Sequence, residues 1–369
     1  MSKKIILHDI LKHLEHRAPL AYQESYDNSG LLIGSKDMLI KAAMLCLDCT
    51  EAVIDEAIQK KCNLILSHHP LIFSGIKKIN GTNEVERTII KAIKHDIAIV
   101  AMHTNLDNVI NGVNAKIASK LNLKQTQILQ ATASTHKKLI TFVPSTHIEQ
   151  VKKALFQAGA GHIGNYSECG FESQGLGSYK PLEGSSPFKG SKNKIHHEEE
   201  IKFETIYPTY LELSILKALQ SSHPYEEVAY DLISLSNQQP TLGAGMIGYL
   251  QKPMDVKTFL AFVKKSLKTN TIKYTKSAIK QIEKIAICGG SGSFLIQQAL
   301  KQDADAFISA DFKYHQFFES EQKLMILDIG HYESEQFTQE IFYELLSEKF
   351  PNFAIHFTQV NTNPINYYS

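Results

Sequence analysis

The sequence predicts an α/β protein in which a smaller α+β domain interrupts a two-lobed, doubly wound α/β/α core. Short apolar runs alternate with helix-like stretches in the first third of the 369-residue chain and again in the last third. Such alternation is typical of parallel sheets with right-handed crossovers. The intervening stretch 159–198 is rich in Gly, Ser and Lys. The chain therefore divides into an N-terminal lobe (1–124), an inserted domain (125–245) and a C-terminal lobe (246–369).

In the N-terminal lobe, apolar runs predict strands and periodic stretches predict helices. Thr50 is a suitable N-cap for the second helix, which has acidic residues in its first turns. The run 64–66 is short and apolar without alternation, which indicates a strand buried on both faces. The predicted order is helix 8–20, turn and strand 26–34, strand 42–47, helix 51–61, a strand ending at 68, helix 84–95, strand 97–102 and helix 112–121.

The inserted domain begins with a polar stretch, 125–135, and contains the loops and hairpin of 159–198. Its predicted strands are 139–143, 201–206 and 228–235, and its helices are 147–158 and 211–219. This order resembles a ferredoxin-like module. In the C-terminal lobe the predicted strands are 284–288, 306–309, 324–329 and 354–357. Three helices are predicted in this lobe. The first starts at Gly289–Gly292 and runs to 302, and the others are 313–319 and 333–348.

Composition and charge are those of an ordinary globular protein. Hydrophobic residues make up 43% of the chain, charged residues 21%, and the formal net charge is +1. This balance gives no electrostatic reason to expect nucleic acid or an anionic membrane as a partner. No apolar run approaches the roughly 20 residues of a membrane span. Met1–Leu7 lacks the long apolar stretch of a signal peptide, so we expect a cytoplasmic protein.

The five cysteines do not form a disulfide framework, because their number is odd and their spacing irregular. Cys46 and Cys49 match a CxxC motif, which in redox sites normally opens a helix after a strand. Cys46 instead lies inside the apolar run Met44–Leu47. The sequence therefore favours packing over redox chemistry for this pair.

Three predicted strands end in side chains that can bind metal ions. These are His68 and His69 after the first, His103 and Asp107 after the second, and His331 and Glu335 after the third. His331 and Glu335 are four residues apart at a helix start, so they share one helix face. Imidazole and carboxylate without thiolate suit zinc, iron, manganese or cobalt. Because a carboxylate can bridge two metals, five such ligands could hold two divalent ions about 4 Å apart.

Several further residues are candidates for the site or resemble such candidates. Gly289–Gly292 could hold a phosphate, but it is neither a P-loop nor a dinucleotide fingerprint, and close backbone packing beside the metal cleft is favoured. Asp311 and His315 are either acid–base candidates or helix-cap residues. His103 is a third acid–base candidate. His196 and His197 lie among charged residues with no apolar strand before them, so an exposed loop is expected.

Five motifs together resemble one family over nearly the whole chain. They are Tyr26–Gly34, Ser67–Phe73, His103–Asp107, Asp311–His315 and Gly330–Glu335. The family is the dinuclear-metal-centre hexamer family, Nif-three-like or "GTP cyclohydrolase 1 type 2 homolog". Gly159–Tyr166 and His223–Tyr230 are similar to the trimer-forming PII or CutA-like insert of its longer bacterial members.

The resemblance implies a ligand set of His68, His69, Asp107, His331 and Glu335. By analogy, His69 and Asp107 hold one metal, His68 and His331 the other, and Glu335 bridges them. It also implies a toroidal homohexamer and a metal-dependent hydrolase acting on a nucleotide or phosphoester, with GTP ring opening as the reaction in the family name. The alternative is a non-enzymatic metal-storage or regulatory hexamer whose insert senses a small ligand.

Overall fold

The protein is described here by a computed structural model that covers residues 4–368. The chain forms two compact units, the first from 1–131 together with 240–369 and the second from 132–239. Residues 1–3 begin the stretch in which the sequence predicts no signal peptide, and they lie outside the described residues. Among the described residues, every helix is too short or too polar to cross a bilayer.

Up to residue 121 the predicted elements occur in the predicted order, with boundaries shifted by a few residues, and the structure adds three short elements that were not predicted, Ile5–Ile6, Leu39–Ile40 and Thr104–Asp107. The strands are β1 (Ile5–Ile6), β2 (Gly30–Ile33), β3 (Leu39–Ile40), β4 (Ala42–Cys46), β5 (Leu64–Ser67), β6 (Ala98–Ala101) and β7 (Lys124–Ala133). The helices are α1 (Leu7–Arg17), α2 (Glu51–Gln59), α3 (Glu84–Lys94), α4 (Thr104–Asp107) and α5 (Val113–Lys120). Thr50 caps α2, since its side chain accepts a hydrogen bond from the Val53 amide.

The second unit contains a four-stranded sheet and two helices. Its strands are β8 (His136–Pro144), β9 (Gly170–Tyr179), β10 (His196–Pro208) and β11 (Tyr230–Leu235), and its helices are α6 (Ile148–Gln157) and α7 (Glu212–Ser222). The sheet order is β11-β8-β10-β9, and every neighbouring pair is antiparallel. Alternate residues of β10, such as Phe203 and Tyr207, are buried with α6 and α7 in one apolar cluster.

The remaining elements complete the first unit. The strands are β12 (Gln238–Asp255), β13 (Lys273–Tyr274), β14 (Gln281–Ser291), β15 (Ala306–Ala310), β16 (Met325–Asp328) and β17 (Ala354–Phe357). The helices are α8 (Val256–Ser266), α9 (Ile296–Lys301), α10 (His331–Glu335) and α11 (Thr338–Lys349). Short 3₁₀ segments lie at Leu20–Tyr22, Thr209–Leu211, Ser293–Leu295 and Tyr314–Ser320.

Two mixed sheets form the centre of the first unit. The first has the order β17-β4-β5-β6-β2, with all neighbours parallel except β2. The second has the order β13-β16-β15-β14-β12-β7, and β14, β15 and β16 are parallel. The predicted mixed α/β class is confirmed. Because parallel strands end at the same edge of a sheet, polar residues after β5 and β6 are brought together.

Both faces of these sheets are buried, which explains the apolar runs without alternation. In β4, Ala43 and Leu45 join a central apolar cluster that includes α1, α5, α8 and α11, whereas Met44 packs on the opposite face with α2 and α3. In β15, Ile308 joins the same central cluster, and Phe307 packs on the other face with α9. The central cluster is therefore shared by the two sheets.

Several sequence predictions need correction. The polar stretch 125–135 belongs mostly to β7, an edge strand that can be polar because much of it meets solvent. Gly289–Gly292 does not start a helix: β14 continues to Ser291, and α9 begins only after a 3₁₀ turn. The predicted helix 313–319 is the 3₁₀ segment Tyr314–Ser320, and the predicted helix 333–348 is divided between α10 and α11. Helix α8 was not predicted.

Candidate metal centre

The ends of β5 and β6 and the helix α10 bring six side chains together in what we term the histidine–carboxylate cluster. Its members are His68, His69, His103, Asp107, His331 and Glu335. Possible ligand atoms lie within 4.8 Å of one another in three overlapping groups: His68, His69 and His103; His69, His331 and Glu335; His68, Asp107 and Glu335. The structure thus places all five predicted metal ligands, and the acid–base candidate His103, in one cluster of the first unit.

Each of the four imidazoles is oriented by a hydrogen bond at Nδ1. His68 Nδ1 donates to the carbonyl of Met102 at 2.8 Å. The other acceptors are carboxylates: Asp48 for His69 at 2.7 Å, Asp27 for His103 at 2.8 Å and Asp311 for His331 at 2.6 Å. Because a carbonyl or a carboxylate only accepts, each Nδ1 carries hydrogen, and Nε2 keeps its lone pair in the neutral ring. Metal-binding histidines are typically oriented in this way.

Three Nε2 atoms converge on the carboxylate of Glu335, which is only 3% exposed. Oε2 of Glu335 lies 3.0 Å from Nε2 of His69 and 3.1 Å from Nε2 of His331. Nε2 of His68 lies 3.7 Å from Oε1. The Nε2 atoms of His69 and His331 are 3.3 Å apart. Two lone pairs at this distance would repel each other, so neutral rings would need a cation between them, whereas protonated rings can each donate to Oε2 of Glu335.

Two buried polar atoms in the cluster have no hydrogen-bond partner among the described residues. They are Nε2 of His68 and Oδ1 of Asp107, which are 3.6 Å apart. A buried polar atom without a partner costs about 1–3 kcal/mol. Folded proteins seldom leave such a cost uncompensated, and one cation bound between the two atoms would remove it for both. The donor set, imidazole nitrogens with carboxylate oxygens, fits a divalent transition metal.

The carboxylates around the cluster shift the pKa values of its imidazoles. Burial opposes the charged form of His69, but hydrogen bonds to Asp48 and Glu335 outweigh it and raise the pKa of His69 to about 10. Burial also opposes the charged form of His331, but hydrogen bonds to Glu335 and Asp311 outweigh it and raise the pKa of His331 to about 9. Burial raises the pKa of Asp107 to about 6 despite the nearby His68. A metal ion would displace these protons, because imidazole and carboxylate bind metals in their deprotonated forms.

The distances group the ligands differently from the pairing that the family resemblance implied. Two ligands of one tetrahedral metal lie roughly 3.3–3.6 Å apart when each bond is about 2.0–2.2 Å. By this measure His69 belongs with His331, at 3.3 Å, and His68 with Asp107, at 3.6 Å. Neither implied pair, His69 with Asp107 or His68 with His331, occurs together in one of the three groups. Glu335 is near both close pairs, as expected for a bridging ligand.

The close packing of β14 against α10 explains why glycines lie near the end of β14. A Cβ atom at Gly290 would lie 2.4 Å from Oε1 of Glu335, and its φ is +61°. Its amide donates to Oγ of Ser334 at 2.8 Å, so the strand packs directly against α10. The interpretation of Gly289–Gly292 as close backbone packing beside the cleft is confirmed.

The remaining candidates lie in different environments. Asp311 orients His331, as described above, whereas His315 is exposed and its ring contacts Tyr314 and Phe318. His196 and His197 begin β10, so the prediction of a loop there was wrong: they pair with β9 in register with Tyr179 and Ser178.

The CxxC cysteines behave as packing residues. Cys46 and Cys49 are buried free thiols. Burial raises the pKa of Cys49 to about 12 and that of Cys46 well above its ordinary value. Because the thiolate is the reactive form, this pair is unsuited to redox exchange.

Sequence reasoning missed the two carboxylates Asp27 and Asp48. Hydrogen bonds from His103 and Thr104 outweigh burial and hold the pKa of Asp27 well below its usual range. Asp48 also accepts a hydrogen bond from Thr362 at 2.7 Å. Asp48 follows the parallel strand β4, so its position at a strand end was a usable signal. Asp27 lies in the 26–34 motif, but its role can be recognised only in the folded chain, where it accepts the hydrogen bond from His103.

The Duf34/NIF3 (NGG1p interacting factor 3) family model matches residues 5–364. A protein of Bacillus subtilis named "GTP cyclohydrolase 1 type 2 homolog" is 38% identical over 372 residues, which cover 100% of both chains. A protein of the same name from Halalkalibacterium halodurans is 40% identical over 363 residues, which cover 97% of this chain and 98% of the relative.

Solved structures show the same similarity. A Bacillus cereus protein described as related to NIF3 superposes with a TM-score of 0.83 and 40% identity over 100% of both chains. A Staphylococcus aureus protein gives a TM-score of 0.80 at 29% identity, again over 100% of both chains. The fold described above is thus shared over its full length with both structures.

Gly290→Ala should destabilise the first unit. The new Cβ would meet the Glu335 carboxylate, and the left-handed backbone is unfavourable for alanine. We expect a loss of about 1–3 kcal/mol in the free energy of unfolding, measured by urea denaturation. Gly75→Ala is the matched control, because nothing lies within 4 Å of a Cβ there, and it should change stability by less than about 0.5 kcal/mol. Equal midpoints for the two variants would refute this packing argument.

Proposed function

The chain belongs to the Duf34/NIF3 family, and from this membership and its histidine–carboxylate cluster we propose a dinuclear metal-binding protein that acts as a metal-dependent hydrolase on a nucleotide or phosphoester. The observation that carries the proposal is the pair of buried, unpartnered atoms, His68 Nε2 and Asp107 Oδ1. Each faces the cluster with a free lone pair, and a cation would satisfy both at once.

The proposed ligands of the two ions are His68, His69, Asp107, His331 and Glu335. His69 and His331 would serve one ion and His68 and Asp107 the other, with Glu335 common to both. His103 lies near His68 and His69 and is a further ligand or an acid–base group. Zinc, iron and manganese all suit these donors. When bound, such a metal pair supplies Lewis-acid activation of water and of the group that is attacked.

The protein's own contribution is orientation and charge. Asp48 and Asp311 hold His69 and His331 with Nε2 toward the cluster, and Glu335 supplies negative charge in a buried setting. Asp311 reaches the cleft from the end of β15 and remains partly exposed, which suits a group that exchanges protons with substrate or solvent. His315 has no part in the proposal, because it lies outside the cluster.

A cavity of about 580 Å³ opens beside His69 and His331 and supports a small-molecule substrate. Tyr332 and Tyr367 line it and can contact a planar group. Lys273 also lines it, paired with Asp328 at 3.0 Å, and the other charged groups are the carboxylates Asp48, Asp311 and Glu333. The positive charge for a phosphate group would therefore come from the metal ions. This volume is typical of small-ligand sites. The two relatives reported above carry the name "GTP cyclohydrolase 1 type 2 homolog". GTP is therefore the first substrate to test, followed by simpler phosphoesters.

Elemental analysis tests the metal proposal. Protein purified without added metal should contain two divalent ions per chain. Glu335→Gln should lose at least one, because a neutral amide replaces the carboxylate common to both ligand groups. Glu344→Gln removes an exposed carboxylate of α11 and should retain both ions. A folded wild-type protein that stays metal-free after dialysis against zinc, iron(II) and manganese would refute the proposal.

Turnover tests the hydrolase proposal separately. Metal-loaded wild type and Glu344→Gln should hydrolyse GTP or a member of a phosphoester panel, whereas Glu335→Gln should lose at least 100-fold in rate, since metal-assisted steps supply several kcal/mol. Product formation is measured by chromatography, so ring opening and phosphate release are distinguished. Two tightly bound ions without any turnover would favour the second function.

The second candidate function is a metal-storage or regulatory hexamer. The observation that favours this alternative is the separate second unit. The order strand, helix, two strands, helix, strand, with sheet order β11-β8-β10-β9, supports a ferredoxin-like insert that could bind an effector. We propose a toroidal homohexamer in either case. Light scattering of the intact chain should give six times 41.4 kDa, and a monodisperse monomer or dimer would contradict it.

A further inference from the structure

The second unit contains a cavity of about 570 Å³ on the face of its sheet opposite α6 and α7. Phe142, Gly177 and Glu200 of the sheet lie at its floor. Its walls come from residues 179–182, 185, 187–188, 225–227 and 229. This cavity is formed entirely by the second unit, so it is separate from the histidine–carboxylate cluster. We infer that it is a binding site for a small organic cation with an apolar body, such as a quaternary ammonium compound.

Aromatic rings provide the apolar part of the site. The ring centroid of Tyr225 lies 5.8 Å from that of Tyr179 and 6.1 Å from that of Phe188. Faces and edges of three rings therefore border one space. Lys189 already places its ammonium 5.8 Å from the Phe188 ring centroid, so this ring accepts a cation in the protein itself. Attraction between a cation and such rings contributes about 0.5–2 kcal/mol for each favourable contact.

A carboxylate at the floor provides the charge. Oε1 of Glu200 accepts a hydrogen bond from the Tyr225 hydroxyl at 2.8 Å. Burial and this carboxylate raise the pKa of Tyr225, so its hydroxyl keeps its proton and continues to donate. Oε2 occupies the space above Gly177, where a Cβ would lie only 2.1 Å away. Gly177 thus leaves room for the Glu200 carboxylate, which lies along the floor of the cavity. Its Oε1 is held by the Tyr225 hydroxyl.

The charges around the cavity favour a cationic occupant over an anionic one. Its lining includes three carboxylates, Glu200, Glu226 and Glu227, and one ammonium group, Lys180, among the residues that the structure describes. The Lys189 ammonium beside Phe188 is paired with Glu198, so it does not change this balance. Glu226 accepts a hydrogen bond from the Ser186 amide at 2.8 Å, which holds the wall at 182–188 against the segment 225–229. A phosphate or carboxylate ligand would meet a net negative lining. An uncharged ligand would leave the Glu200 carboxylate with only the Tyr225 hydroxyl to compensate its lost hydration.

Calorimetric titration of the full-length protein tests the inference with defined probes. We use choline and benzyltrimethylammonium, and the uncharged choline isostere 3,3-dimethyl-1-butanol. At least one cation should bind saturably, and the isostere should bind at least tenfold more weakly than choline. Glu200→Gln, which can still accept from Tyr225, should weaken cation binding at least tenfold, and Phe188→Ala should also weaken it. Glu149→Gln, an exposed carboxylate of α6 outside the cavity, should leave affinity unchanged.

Three results would overturn the inference. They are absence of binding by both cations, equal affinity for choline and its isostere, and full affinity in Glu200→Gln. Circular dichroism and thermal unfolding of each variant show that the fold is intact. Because the cavity and the metal cluster share no residue, failure of this test leaves the proposed hydrolase unaffected, and failure of the metal proposal leaves this site unaffected.

Discussion

The first unit depends on how it accommodates a buried carboxylate. Glu335 is almost fully enclosed, and an isolated charge in such a place would cost many kcal/mol. Three imidazoles from two different sheets compensate it, and each imidazole is held by its own acceptor. Burial opposes ionisation, yet His68, His331 and His69 outweigh it and hold the pKa of Glu335 well below its usual range. The carboxylate is therefore the element around which the ends of both sheets are arranged.

The apolar core determines the precision of this arrangement. His68 and His69 follow a strand of the first sheet, and Glu335 lies on the helix after β16 of the second. Both sheets contribute to one central apolar cluster, which fixes their separation. Close packing transmits small displacements, so a change of one methyl group near Gly290 reaches the carboxylate directly. A site on strand ends and a short helix is also more rigid than one on long loops.

The sequence predicted elements whose signal is local. Strands β4, β5, β6, β15 and β16 were visible as apolar runs because both faces are buried, and their ends located the candidate ligands. The sequence could not predict β7, because an edge strand needs no apolar pattern, nor the distances between the candidate ligands, because these depend on how two sheets meet. Asp27 and Asp48 became recognisable only through the imidazoles that they orient. The cavity above Glu200 likewise requires the sheet register that places Gly177 beside this residue.

The first unit is built from two separate segments of the chain, and this gives the cluster a further structural role. His68, His69 and Asp107 come from the segment before the second unit, whereas His331 and Glu335 come from the segment after it. The two segments are separated in sequence by the 108 residues from 132 to 239. A cation held by both would connect them only in the folded state, since the unfolded chain has no preformed site. Binding would then stabilise the assembled first unit by mass action, about 2.7 kcal/mol at a hundred times the dissociation constant. His69 and Glu335 already link the two segments by a hydrogen bond of 3.0 Å, and a cation at the cluster would add to this link.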